Sequence, residues 1–220
     1  MRTPAVTVVL GGLLLLLAIP VASSTVPRAA VVAPPSLPRV TLISDSVAGS
    51  ISFDIGAEAI LAQGIDLFLE PGEARRLGGE TPAGGIAPPT ALQLIAMLGR
   101  RLGPTVIMSI GYNDLPYLYA QNMDAALVEL RAAGVTHVIW LTLHVTPDHT
   151  SYLAINQAIE AAAAQHPEMT VVDWNAYAGD HPEWFQGDGV HLSGDGPRAL
   201  ASLLHSTLVN LLTMDRQSYP

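Results

Sequence analysis

Val40-Thr41-Leu42-Ile43-Ser44-Asp45-Ser46 is an apolar run that ends in two serines flanking a carboxylate. Such a short continuous run reads as a strand buried on both faces, over 40–44. Similar runs follow at 65–69, 105–110, 137–143 and 170–174. Between them lie helical patterns at 47–63, stopped by Gly64, at 90–102, with Leu92, Ile95, Ala96 and Leu98 on one face, at 120–133, stopped by Gly134, and at 152–165. A last helix is expected over 196–214. Strands that alternate with helices and are apolar throughout predict a mainly parallel five-stranded sheet in a three-layer α/β/α domain. The Gly/Pro-rich loop over 70–89 is long, and loops of that length are usually functional or disordered.

The 220 residues suffice for one ordinary domain, and half are hydrophobic. Acidic residues number 19 against 10 basic ones, a net charge of -9. That balance argues against nucleic acid, which requires a basic face, and against docking to an anionic membrane surface. There is no lysine, which excludes a Walker lysine and a Schiff base. There is no cysteine, which excludes disulfides, thiolate metal sites and a cysteine nucleophile.

Arg2, the uncharged stretch 5–19 and the small residues around Ala22 follow the three-part pattern of a secretory signal peptide over 1–22. An uncleaved anchor is the alternative. Residues 23–38 form a Pro/Ala-rich linker, 39–214 the folded domain and 215–220 a tail. The expected location is extracytoplasmic, secreted or in the cell envelope, with membrane contact only through that possible anchor.

Ligands of open parallel sheets bind at the carboxyl ends of the strands. Ser46 follows the first strand, Gly111-Tyr112-Asn113-Asp114 the third, and Gly187-Asp188-Gly189-Val190-His191 the fifth. All three reach one pole. Ser46 is the candidate nucleophile, His191 its base and Asp188 the carboxylate that orients the imidazole. Asp173 is a rival for that last role, and a helix cap is the rival reading of Ser46. Acyl transfer also requires donors for the developing oxyanion. The Ser46 N–H and the Asn113 amide are two, and a loop glycine is the third. Gly85, just before the next helix, is favoured over Gly84 and Gly79. Tyr112 and Asp114 beside Asn113 are assigned to substrate binding. His144, Asp148 and His149 lack a metal-ligand spacing, so no metal and no cofactor are expected.

Ser44-Asp45-Ser46, Gly111-x-Asn113-Asp114 and Asp188-x-x-His191 together resemble the blocks of the SGNH/GDSL hydrolase superfamily, over about residues 39–212. Ser44 departs from the pattern, standing where the family has glycine. The segments around His181-Pro182-Glu183-Trp184-Phe185 and Asp173-Trp174 are similar to exported bacterial SGNH domains related to cell-envelope glycan O-acyltransferases. The resemblance implies a flavodoxin-like fold and a serine esterase acting through an acyl-enzyme on short acyl esters. Its substrate would be a small-molecule or glycan ester. Independently of the resemblance, the 70–89 loop leaves the second strand at the reactive pole and is expected to shape the acyl pocket. An O-acyltransferase with the same residues is the first alternative. A catalytically silent glycan-binding domain is the second.

Overall fold

The computed structural model describes residues 37–79 and 87–218. The expected signal peptide, most of the linker, and Gly84 and Gly85 lie outside the described residues. Five strands, β1 (Arg39–Ser44), β2 (Asp66–Glu70), β3 (Thr105–Ser109), β4 (His137–Leu141) and β5 (Met169–Val172), form one sheet in the order β2-β1-β3-β4-β5. Every pairing is parallel. The three central strands are buried almost throughout, as their unbroken apolar sequences demand. Thr41, a polar residue in this layer, donates its hydroxyl to the Leu102 carbonyl at 2.7 Å. The chain builds β2 on one side of β1 and then crosses back to β3 on the other. The switch point therefore lies between the carboxyl ends of β1 and β3, where sheets of this order open a crevice.

The helices are α1 (Ser46–Gly49), α2 (Ile55–Leu61), α3 (Ala91–Leu98), α4 (Pro116–Ala132), α5 (Tyr152–Ala163), α6 (Trp174–Ala178) and α7 (Gly196–Ser218). The single helix expected over 47–63 is broken into α1, a 3-10 turn at Ser50–Phe53, and α2. Ser50 and Ser52 hydroxyls bond back to the Val47 and Gly49 carbonyls, and Asp54 caps a new helix through the Ala57 N–H at 3.0 Å. Side chains of this kind compete with helix continuation and favour caps. The break leaves Phe53 84% exposed.

The strand expected to reach residue 174 stops at Val172 because Asp173 caps α6 through the Ala176 N–H. Helix α4 starts four residues before the expected 120, with Pro116 in its first turn, where proline is preorganised for helix and its missing N–H costs nothing. Thr90 and Gln93 close a capping box on α3, and α7 continues past 214 to Ser218. Among the described residues no helix is long and apolar enough to cross a membrane.

Candidate active site

Ser46 opens α1 directly after β1. The cap of that helix is Asp45, whose Oδ1 accepts the Val47 N–H at 3.0 Å. The Ser46 hydroxyl, relieved of capping, lies 3.0 Å from His191 Nε2. His191 Nδ1 lies 2.7 Å from Asp188 Oδ2, while Asp188 Oδ1 accepts the N–H groups of Val190 and His191. Local backbone bonds thus fix one carboxylate oxygen and leave the other for the imidazole. The His191 bond, then the Val190 N–H, hold Asp188 well below the ordinary carboxylate range, at about 2. Asp188 is therefore ionised near neutral pH. The rival Asp173 accepts from Thr142 Oγ1 and the Ala176 N–H and stands apart from His191.

The segment that carries Asp188 and His191 is a loop clipped at its base. Phe185 and Leu192 form an antiparallel bridge, and the Gln186 N–H bonds the His191 carbonyl at 2.7 Å. Gly189 turns it at φ +68°, with the Thr146 side chain packed where a Cβ would sit. This clip explains how a loop holds a histidine side chain that is 44% exposed.

Ser44 does not disturb Ser46. It is the last residue of β1, paired with Ser109 and buried. Its hydroxyl lies 3.6 Å from where a Cβ on Gly49 would sit, an ordinary contact distance.

At the neighbouring strand end, Gly111 has φ +150°, and a Cβ there would meet Leu143 at 2.9 Å. Asn113 donates one amide N–H to the Arg75 carbonyl at 3.3 Å, and its own carbonyl accepts from Arg76 Nε at 2.7 Å. One amide hydrogen of Asn113 is thereby anchored, which orients the other. Asn113 lines a cavity of about 620 Å³ together with Ser46, His191, Gly72, Ala74 and Phe53. A second cavity of about 160 Å³ shares Ser46, Asn113 and His191 and is walled by Tyr112, Tyr152 and His149.

The loop after β2 brings a residue that the sequence reading passed over. Gly72, two residues past β2, lines the large cavity. The buried Arg75 lies over it, with its guanidinium bonded to the Glu70 and Pro71 carbonyls. A Cβ on Gly72 would come 2.5 Å from Arg75 Nε. Its position at a strand's carboxyl end was the available signal, whereas proximity to the next helix pointed to Gly85. The competitor Gly79 is exposed, at φ +74°, with nothing near its would-be Cβ, and does not line the large cavity. Both arginines of this loop bond backbone carbonyls, Arg75 that of Glu70 and Arg76 that of Asn113.

Asp114, assigned to substrate binding from the sequence, lines neither cavity; its carboxylate accepts the Leu77 N–H at 3.0 Å and ties the β2–α3 loop to the end of β3. Tyr112 does wall the small cavity, with its hydroxyl accepting the His144 N–H at 2.9 Å. Among the described residues no group of three histidines and carboxylates converges on a metal position.

Asp45, fully buried behind Ser46, bridges the two strand ends. Its Oδ2 takes the Tyr112 N–H at 3.3 Å. Burial raises its pKa to about 7, against the opposing N–H bonds from Val47, Tyr112 and Gly111. Burial also raises Asp114, to about 6. A carboxyl group with a raised folded pKa binds a proton that the unfolded chain has already lost. Stability from it is full below about pH 4 and declines as pH rises through about 7. We expect the wild-type Tm to fall by about 5 °C or more between pH 5 and 8, since ~1 kcal/mol moves Tm by about 2–4 °C at this size. Asp45→Asn should flatten that profile, leaving the smaller slope of Asp114. Parallel profiles in a calorimetric pH series would refute the buried titration.

No protein-family model matches the chain. In sequence it is 40% identical over 99 residues to YrhL of Bacillus subtilis (strain 168), covering 45% of this chain and 14% of YrhL. In structure it is similar to the C-terminal catalytic domain of Streptococcus pneumoniae peptidoglycan O-acetyltransferase A (OatA). That likeness has a TM-score of 0.58 at 23% identity, over 83% of this chain and 97% of that one. A carbohydrate esterase family 3 protein from Talaromyces cellulolyticus superposes with a TM-score of 0.57 at 22% identity, over 80% and 98%. The chain has the fold of the SGNH/GDSL hydrolase superfamily, the fold its three sequence blocks resemble.

Proposed function

We propose that this protein is an SGNH-type serine esterase that removes short acyl groups from a carbohydrate outside the cytoplasm. The observation that carries the reading is the unbroken series from Ser46 Oγ through His191 to Asp188 at the mouth of a cavity. The ionised Asp188 accepts the Nδ1 proton of His191, which leaves Nε2 as an acceptor for the Ser46 hydroxyl. Ser46 Oγ attacks the ester carbon as its proton passes to Nε2. The carbonyl oxygen becomes an oxyanion facing the Ser46 N–H and the free Asn113 amide hydrogen. Gly72 replaces Gly85 in this reading as the third donor. When the oxyanion collapses, the bond to the alcohol breaks and His191 returns the proton to the departing oxygen. Water repeats the sequence on the acyl-enzyme, releasing the acid and restoring Ser46.

A second reading, transfer of the acyl group to a glycan hydroxyl, is supported by the likeness to the OatA catalytic domain. It differs only in which hydroxyl meets the acyl-enzyme. The carbohydrate substrate is supported by the likeness to a carbohydrate esterase, and export by the pattern of residues 1–22.

A serine-directed phosphonate should label one peptide, the one containing Ser46, with loss of turnover in proportion to labelling. Labelling elsewhere, or full labelling without loss of activity, would dismiss the assignment.

A further inference from the structure

We infer that the two cavities divide an ester between them, the small one taking the acyl group and the large one the alcohol, with His149 and Tyr152 limiting acyl length. This rests on the esterase reading above. An ester carbon attached to Ser46 carries three substituents. The oxygen faces Asn113, so the acyl chain and the alcohol must leave in different directions. The two cavities that meet at Ser46, Asn113 and His191 offer those directions.

Size decides which is which. Small-molecule sites usually enclose about 300–1,000 Å³. The large cavity, about 620 Å³, lies in that range and admits a sugar. The small one, about 160 Å³, falls well below it. A methyl group is comparable to one water, roughly 30 Å³, and fits there easily, whereas a substituted sugar does not. The large cavity offers Glu73 and Gln186 for hydroxyl groups and the exposed ring of Phe53 at its rim. The small cavity is faced by Tyr112, Tyr152 and Val190, with His149 and the Asp188 carboxylate also in its wall, so size and not polarity makes the assignment.

The wall of the small cavity is stiff. The Tyr152 ring meets Tyr112 edge-on at 5.1 Å, and its hydroxyl bonds the Tyr112 carbonyl at 3.3 Å. His149 lies parallel to Tyr152 at 5.3 Å, with Nδ1 2.9 Å from the Thr146 hydroxyl. At roughly 30 Å³ per carbon about five carbons fill the space, so a longer chain must displace this stack. Acyl selection therefore moves from the β2–α3 loop, where the sequence reading put it, to the connection between β4 and α5. By microscopic reversibility the acyl acceptor, water or hydroxyl, enters through the large cavity that the first alcohol vacated.

The test is a series of p-nitrophenyl acetate, butyrate and decanoate, read as kcat/KM ratios. In the wild type the decanoate-to-acetate ratio should be about 0.1 or lower, since one ill-fitting methylene changes rate by about 10–200-fold. His149→Ala, in a half-exposed loop, should raise that ratio about tenfold, and His149→Trp should lower it. Phe53→Ala should leave the ratio in place and raise KM for an acetylated sugar. If His149 variants leave the ratio unmoved, or Phe53→Ala shifts it, the division of the ester is overturned while wild-type acetate turnover keeps the esterase reading standing. If the wild type turns over no ester of the series and no acetylated sugar, the esterase reading fails, and this inference with it.

Discussion

Ser46→Ala is expected to lower kcat/KM on short esters by about 10⁴-fold or more, the scale of losing a nucleophile from a triad. His191→Ala should lose a similar amount. The double variant should be no worse than either alone, because the two side chains act as one unit and their losses do not add. The fold should survive. Among the described residues the Ser46 hydroxyl bonds His191 alone, and the α1 cap belongs to Asp45. Stability should change by no more than about 0.5–1 kcal/mol, as at sites without a buried or capping role. Steady-state kinetics with a thermal melt of each variant checks both halves. Additive losses would mean that Ser46 and His191 act separately, and normal turnover by Ser46→Ala would place the nucleophile elsewhere.

Asn113→Ala should lower kcat by about 10²–10³-fold, the usual cost of one oxyanion donor, with little change in KM because the donor acts on charge that appears only in the transition state. Asn113 also holds the Arg75 carbonyl, so part of any loss can come from loop movement. Two other ties persist in the variant, Asp114 on the Leu77 N–H and Arg76 on the Asn113 backbone carbonyl. The melting temperature should therefore stay close to wild type. Asn113→Asp keeps the size, removes the donor and adds a repelling charge, so it should be at least as slow as the alanine variant. An aspartate variant that recovers turnover would show that Asn113 matters for shape and not as a donor.

The sequence by itself determined the architecture and which polar side chains reach one pole of it. Five apolar runs separated by helical patterns leave few alternatives to a parallel sheet, and such a sheet collects its strand ends at one pole. Ser46 and Asn113 each follow a strand end closely, and Asp188 reaches His191 across three residues of one loop. These are short-range relations that a linear reading captures. The tertiary structure alone decided what depends on atoms distant along the chain. The Asp114 carboxylate meets the Leu77 N–H, and Arg75 offers its carbonyl to Asn113, each across nearly 40 residues. That Gly72 lines the cavity beside Ser46 follows from where the loop after β2 passes. The break within 47–63 follows from serine hydroxyls and Asp54 outcompeting helix bonds that hydrophobic periodicity alone favours. Periodicity reports which face is buried, but a polar side chain's role is fixed by the one backbone group within about 3 Å of it, and that neighbour exists only once the chain has folded.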